Sequence, residues 1–177
     1  MKKFLFLFLM LPMVALAQNE KGKTKYEEFA SKSGVCTIVN YKVPDVVLVA
    51  AYGDGKYSSK VSFSLEKMTI GNTSLTFLNM SHMDYDDASS AMLEASDVIA
   101  LYNAIKEMMN KRQNPKPEGA NGVKYIFLGN DGVSVECDND SWKIKLERFS
   151  KDEIWIKDIE PFSNRLQEII QQINTIK

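Results

Sequence analysis

The chain has 177 residues, 45% of them hydrophobic, with 22 basic side chains against 23 acidic ones. That balance supplies no cationic field for a nucleic acid or an anionic membrane. A chain of this length buries roughly 70% of its unfolded surface, so its core needs neither a metal nor a disulfide.

Met1, Lys2 and Lys3 form a cationic start, and Phe4 through Val14 are apolar except for Pro12. Ala15, Leu16 and Ala17 then place small residues at the −3 and −1 sites that a signal peptidase reads. Residues 1–17 are therefore expected to be a secretory signal peptide, and 18–177 a single domain. The apolar run falls short of the about 20 residues that span a bilayer core of about 30 Å, and no second long apolar run follows, so no membrane span is expected after cleavage. No cysteine follows the cleavage site to carry a lipid. The 177 residues less these 17 leave 160, with 20 basic side chains against 23 acidic.

Thr24 and Glu27 have capping-box spacing, and Tyr26, Phe29 and Ala30 recur at helical spacing, which predicts a helix over 25–33 ending near Gly34. Two strands are then expected. Val35–Tyr41 alternates weakly, and Val46–Tyr52 is a continuous apolar run of the kind buried on both faces. Gly53–Lys56 is a turn, too short for a phosphate-binding loop. Val61, Phe63 and Leu65 alternate cleanly, and the shift of phase to Met68 and Ile70 suggests a bulge at Glu66–Lys67. After a turn at Gly71–Thr73, Ser74–Met80 reads as another strand.

Next comes a long helix, capped by Asp84 or Asp87, with Met92, Ala95, Val98, Ile99, Tyr102, Ile105 and Met109 along one side. Lys111 and Arg112 crowd its end, and the prolines at 115 and 117 stop it. Four short strands follow near 123–128, 133–137, 142–147 and 153–157. Their tight turns, Asp131-Gly132 among them, make neighbouring strands antiparallel. Pro161 opens a last helix with Phe162, Leu166, Ile169, Ile170, Ile173 and Ile176 on one side. The fold class is α+β: a curled antiparallel sheet packed by the long central helix and the C-terminal helix. The alternative is a small barrel capped by the C-terminal helix.

Chemistry is sparse. His82 is the sole histidine, and no nucleophile elbow, zinc signature or phosphate loop is present. No cofactor or metal is expected. His82, Asp84, Asp86 and Asp87 bring one imidazole close to three carboxylates. Proton transfer by His82 with Asp84 or Asp87 is the candidate catalytic reading; a strand end, a turn and a helix cap are the structural one, which the spacing favours. Asp131, Asp138 and Asp140 likewise read as turns rather than a calcium loop. Trp142 shares a phase with Ile144 and Leu146 and belongs to the core. Trp155 lies opposite Ile154 and Ile156 on a short strand; it is either buried between sheet and helix, which the usual burial of tryptophan favours, or exposed, where it is the candidate ligand-binding residue, able to stack on a sugar or peptide. The methionines near the long helix read as adaptable core filler. Cys36 and Cys137 sit in strand phases with aliphatic neighbours. In an oxidising compartment they could pair as a disulfide, or remain separate buried thiols.

The signal ending Ala15-Leu16-Ala17-Gln18, the acidic 84–87 stretch before an amphipathic helix, and the strand meander leading to an Ile-rich last helix together resemble the small exported proteins of unknown function of Bacteroidota-type bacteria. That resemblance implies a periplasmic or secreted protein and carries over no site residues. The expected function is a non-enzymatic exported module binding a protein, peptide or glycan at the cell envelope; the alternative is a hydrolase using His82, Asp84 and Asp87.

Overall fold

The computed structural model describes residues 23–52, 57–84, 87–138, 140–147 and 152–176, with the side chains of Asp84 and Asp87 also left undescribed. The expected signal peptide and the Gly53–Lys56 turn lie outside them. The fold is α+β, and the described residues form two four-stranded antiparallel sheets and three helices.

Helix α1 (Lys25–Ala30) opens with both bonds of the capping box: the Thr24 hydroxyl accepts from the Glu27 N–H, and the Glu27 carboxylate from the Thr24 N–H at 2.8 Å. Strands β1 (Cys36–Val49), β2 (Ser58–Ile70), β3 (Thr73–Asp84) and β4 (Asp87–Glu94) form the first sheet in sequential order. Helix α2 (Ala95–Arg112) leads to β5 (Tyr125–Leu128), β6 (Ser134–Cys137), β7 (Trp142–Lys145) and β8 (Ile154–Ile156), the second sheet, and α3 (Glu160–Ile176) follows. The sheets meet edge to edge. Ala50 bridges Ile156, the Ala51 N–H donates to the Trp155 carbonyl at 2.9 Å, and the Lys157 N–H donates to the Val49 carbonyl. There are thus two sheets meeting along one edge rather than the single curled sheet expected, and the described strands do not close into a barrel.

Four further expectations need correction. The two strands predicted between 35 and 52 are one strand, β1, with a register shift between Val43 and Val46. Pro44, which cannot donate to a ladder, falls in that irregularity. The Val46–Tyr52 run is not buried on both faces, because Val47 and Val49 are exposed while Val46, Leu48 and Ala50 are buried. The bulge expected at Glu66–Lys67 is absent: β2 pairs with β3 in unbroken register from Val61↔His82 to Ile70↔Thr73. The phase shift marks a change of buried face. Val61, Phe63 and Leu65 point into the main core, whereas Met68 and Ile70 join Phe29 and Phe77 in a second, smaller one. Helix α1 covers that second core, with the Tyr26 ring edge-on to Phe77 at 5.2 Å between centroids.

The long helix is also shorter than its periodicity predicts. Residues 87–94 are β4, in register with β3 from Phe77↔Glu94 to Asp84↔Asp87, so neither Asp84 nor Asp87 is its cap. The cap position is Glu94, whose side chain makes no capping bond. Val98, Leu101, Ile105 and Met108 face the core, while Ile99 is exposed and Met92 belongs to β4. The last helix docks as expected: Phe162, Leu166, Ile169 and Ile173 are buried with residues of both sheets and α2. Among the described residues no helix is long and apolar enough to cross a membrane.

Candidate functional site

Two places gather the residues singled out from the sequence. The first is buried. His82, on β3, faces Val61 of β2 and Ser89 of β4 across the ladder. Its Nδ1 lies 2.8 Å from Oδ2 of Asp152, and the Ser89 hydroxyl donates to the same oxygen at 2.5 Å. An ionised carboxylate only accepts, so Nδ1 carries the shared proton. His82, Ser89 and Asp152 are all at most 6% exposed.

The structure therefore joins His82 to Asp152, 70 residues further along the chain. The partner anticipated at Asp84 or Asp87 falls at the mouth of the β3–β4 hairpin, where the backbones of the two residues pair. Serine, histidine and aspartate here do not form a nucleophile relay. Such a relay needs the serine on the second imidazole nitrogen and open to a substrate; here both donors converge on one carboxylate oxygen in the core. The arrangement clasps the segment before β8 to the β3–β4 hairpin.

The second place is the outer face of β5–β8. The registers align Ile126, Glu136, Lys143 and Trp155 in one row across the four strands. Residues on the opposite face, Val135, Cys137, Trp142, Ile144, Ile154 and Ile156, fill the main core. Trp155 is 37% exposed. Its indole N–H donates to Glu153 at 3.0 Å, and the Lys143 ammonium stands 5.2 Å from the ring centroid. Ion pairs run through this face as a ladder. Glu136 pairs with Lys124 at 2.5 Å and Lys143 at 2.9 Å, and Glu153 pairs with Lys143 at 3.7 Å and Lys145 at 2.5 Å. Burial pushes the Glu136 carboxyl up, but bonds from Lys124 and Lys143 outweigh it and hold the group below its ordinary value. Lys145 does the same for Glu153. Ile126 and Leu128 on β5, and Val47 and Val49 beyond the β8–β1 seam, add exposed apolar surface. Of the two placements the sequence leaves open for Trp155, the structure shows the exposed one rather than the favoured burial between sheet and helix; the charge ladder depends on pairings invisible in a linear reading.

The remaining candidates are accounted for locally. Cys36 and Cys137 are both free. Cys36 is exposed opposite Ile70 in the first sheet, and Cys137 is buried between Tyr125 and Trp142 in the second, so the structure does not contain the disulfide the sequence allowed. Burial pushes the Cys137 thiol above its ordinary value, which suits an inert core residue. Asp138 accepts N–H bonds from Asp140 and Ser141, as a turn aspartate does. A cavity of about 180 Å³ between α2 and the β5–β6 hairpin has Asp97 in its wall, and that carboxylate is already paired to Lys25 at 3.0 Å. Met83, expected as core filler, is exposed on β3. Among the described residues, no three acidic, histidine or cysteine side chains converge to hold a metal ion.

No family model matches this chain, and no curated protein or solved structure is similar enough to it to register as a match.

Proposed function

We propose that this chain is an exported, non-enzymatic module that holds a protein partner at the cell envelope on the outer face of its second sheet. One observation carries the reading: an exposed tryptophan stands in a row with Ile126 and diagonally across the seam from Val49, on the face of the second sheet turned away from the main core. Aromatic anchors surrounded by polar contacts dominate protein interfaces. The flanking aliphatic side chains favour a protein over a glycan, whose hydroxyls would find few free partners on Val47, Val49, Ile126 and Leu128. The ladder neutralises most charge within the face itself, leaving Trp155 and these aliphatics as the surface a partner would desolvate. The buried setting of His82 and Ser89 gives the hydrolytic alternative no open nucleophile.

Placing a photo-cross-linking amino acid at Val49 or Ile126 in the expressing cell should trap a defined protein adduct. The same group at Asn164, on the exposed side of α3, should not. Equal labelling at all three positions would overturn the proposed face. Export rests on residues 1–17, and the intact mass of protein recovered from the envelope or medium is expected to begin at Gln18. A mass that retains the apolar run would overturn it.

A further inference from the structure

We propose that Asn121 is a site of spontaneous covalent modification, at which the backbone nitrogen of Gly122 attacks the side-chain amide and the asparagine becomes aspartyl and isoaspartyl as the protein ages. Asparagine is among the thermolabile residues, and Asn121-Gly122 is the one Asn-Gly pair in the sequence. Glycine has no Cβ to shield its nitrogen and lets the backbone approach closely, so this pair brings the attacking atom within reach of Cγ. Both residues are exposed, in the connection between α2 and β5 that belongs to no helix or strand. The ends of that connection are tied: the Gln113 N–H donates to the Asn110 carbonyl, and the Tyr125 hydroxyl to the Lys111 carbonyl at 3.2 Å. Between them the Ala120 N–H donates to the Pro117 carbonyl at 3.1 Å, but among the described residues no hydrogen bond holds the Asn121 amide or the Gly122 N–H.

Water is the only co-reactant, and nothing is oxidised or reduced. The Gly122 nitrogen gives up its proton and bonds to Cγ of Asn121; the Cγ–Nδ2 bond breaks and the nitrogen leaves as ammonia. Water then opens the resulting five-membered imide. Addition at Cγ breaks its bond to the Gly122 nitrogen and gives aspartyl. Addition at the main-chain carbonyl of residue 121 leaves the chain running through Cγ, which is isoaspartyl. Either product adds one carboxylate, so the formal net charge passes from −1 to one unit more negative. The other candidates are held. In the β5–β6 turn, the Gly132 N–H donates to the Gly129 carbonyl at 3.4 Å and Oδ2 of Asp131 is buried, so the Asp131-Gly132 pair is not set to cyclise. The nitrogen after Asn114 belongs to Pro115 and carries no proton to lose. Asn103, Asn110 and Asn164 lie within α2 and α3, where helical bonds engage the N–H that follows.

The test is to hold the folded protein in neutral buffer at body temperature for days and follow it by anion exchange and by mass spectrometry of its digest. A more acidic species should accumulate, and the fragment containing residue 121 should yield two products of equal mass, each with an acid in place of the amide. Gly122→Ala should slow the conversion about tenfold or more, because the methyl group crowds the attacking nitrogen. Asn121→Gln should remove the acidic species. Both substitutions fall in an exposed loop, so the melts should stay near wild type. A free peptide of residues 117–125 supplies the unconstrained rate, and the folded protein should convert within about threefold of it, since few contacts hold the loop. A slower rate would show that the fold shields Asn121 and would overturn the proposal. So would absence of new acid at residue 121, conversion of Gly122→Ala at the wild-type rate, or an acidic species that persists in Asn121→Gln.

Discussion

Asp152→Ala should destabilise the protein by about 2–4 kcal/mol, one of the two largest single-residue effects expected. The substitution strands two buried donors, the His82 Nδ1–H and the Ser89 hydroxyl, and each unsatisfied buried polar group costs about 1–3 kcal/mol. The loss is structural because the clasp spans elements distant in sequence: His82 and Ser89 belong to neighbouring strands of the first sheet, and Asp152 leads into β8, which joins the two sheets. Ser89→Ala removes one donor and leaves the carboxylate bonded to the imidazole, so its cost should be smaller, about 1 kcal/mol. Urea denaturation of both variants tests the order. His82 is the only histidine, so its ring signals are unambiguous by NMR. A hydrogen-bonded Nδ1 proton should be present in the wild type and absent from Asp152→Ala. Wild-type stability for that variant would show that the segment before β8 is not tied down.

Local patterning made much of the architecture legible. The helix at α1 and its capping box, the docked last helix and the short antiparallel strands after residue 122 all follow from spacing within ten or so residues, whereas spacing leaves Trp155 open between burial against a helix and exposure. The misreadings arose where tertiary contacts decide. Ala88, Ser89, Ser90 and Ala91 are small residues compatible with a helix, and their pairing with β3 makes them a strand instead. The slip between Leu65 and Met68 looks like a bulge to a rule that assumes one buried face. It is a face change because α1 provides a second apolar partner. At the buried site, His82 could be singled out as the lone imidazole, but its true partner lies 70 residues away. Nothing about Asp152 in the sequence distinguishes it from the acids that fill turns. Only the closure of β8 onto β1 brings it near.

Ile169→Asp tests the other half of the core. Ile169 is fully buried among residues of both sheets and α2, and α3 is amphipathic, with Phe162, Leu166 and Ile173 on the same side. A carboxylate at this position loses its water and gains no cation, while the apolar contacts of the isoleucine disappear. The two losses together should cost about 3–5 kcal/mol. That is comparable to the whole stability of many domains of this size, so the variant should melt far below wild type or fail to fold. Gln167→Asp, an equally acidic change on the exposed side of the same helix, should stay within about 0.5 kcal/mol of wild type and separates burial from charge or helix propensity. The penalty should also depend on pH in a defined direction. Burial favours the neutral acid, so the folded-state pKa of the new carboxyl is raised above its unfolded value. The variant therefore lies closest to wild type below the unfolded pKa, about 4, and loses stability as pH rises from there through the raised folded value. Denaturant midpoints for both variants across that range give the readout. A pH-independent deficit would mean that the carboxyl reaches water, and a melt matching wild type would show that α3 is not docked on the sheets.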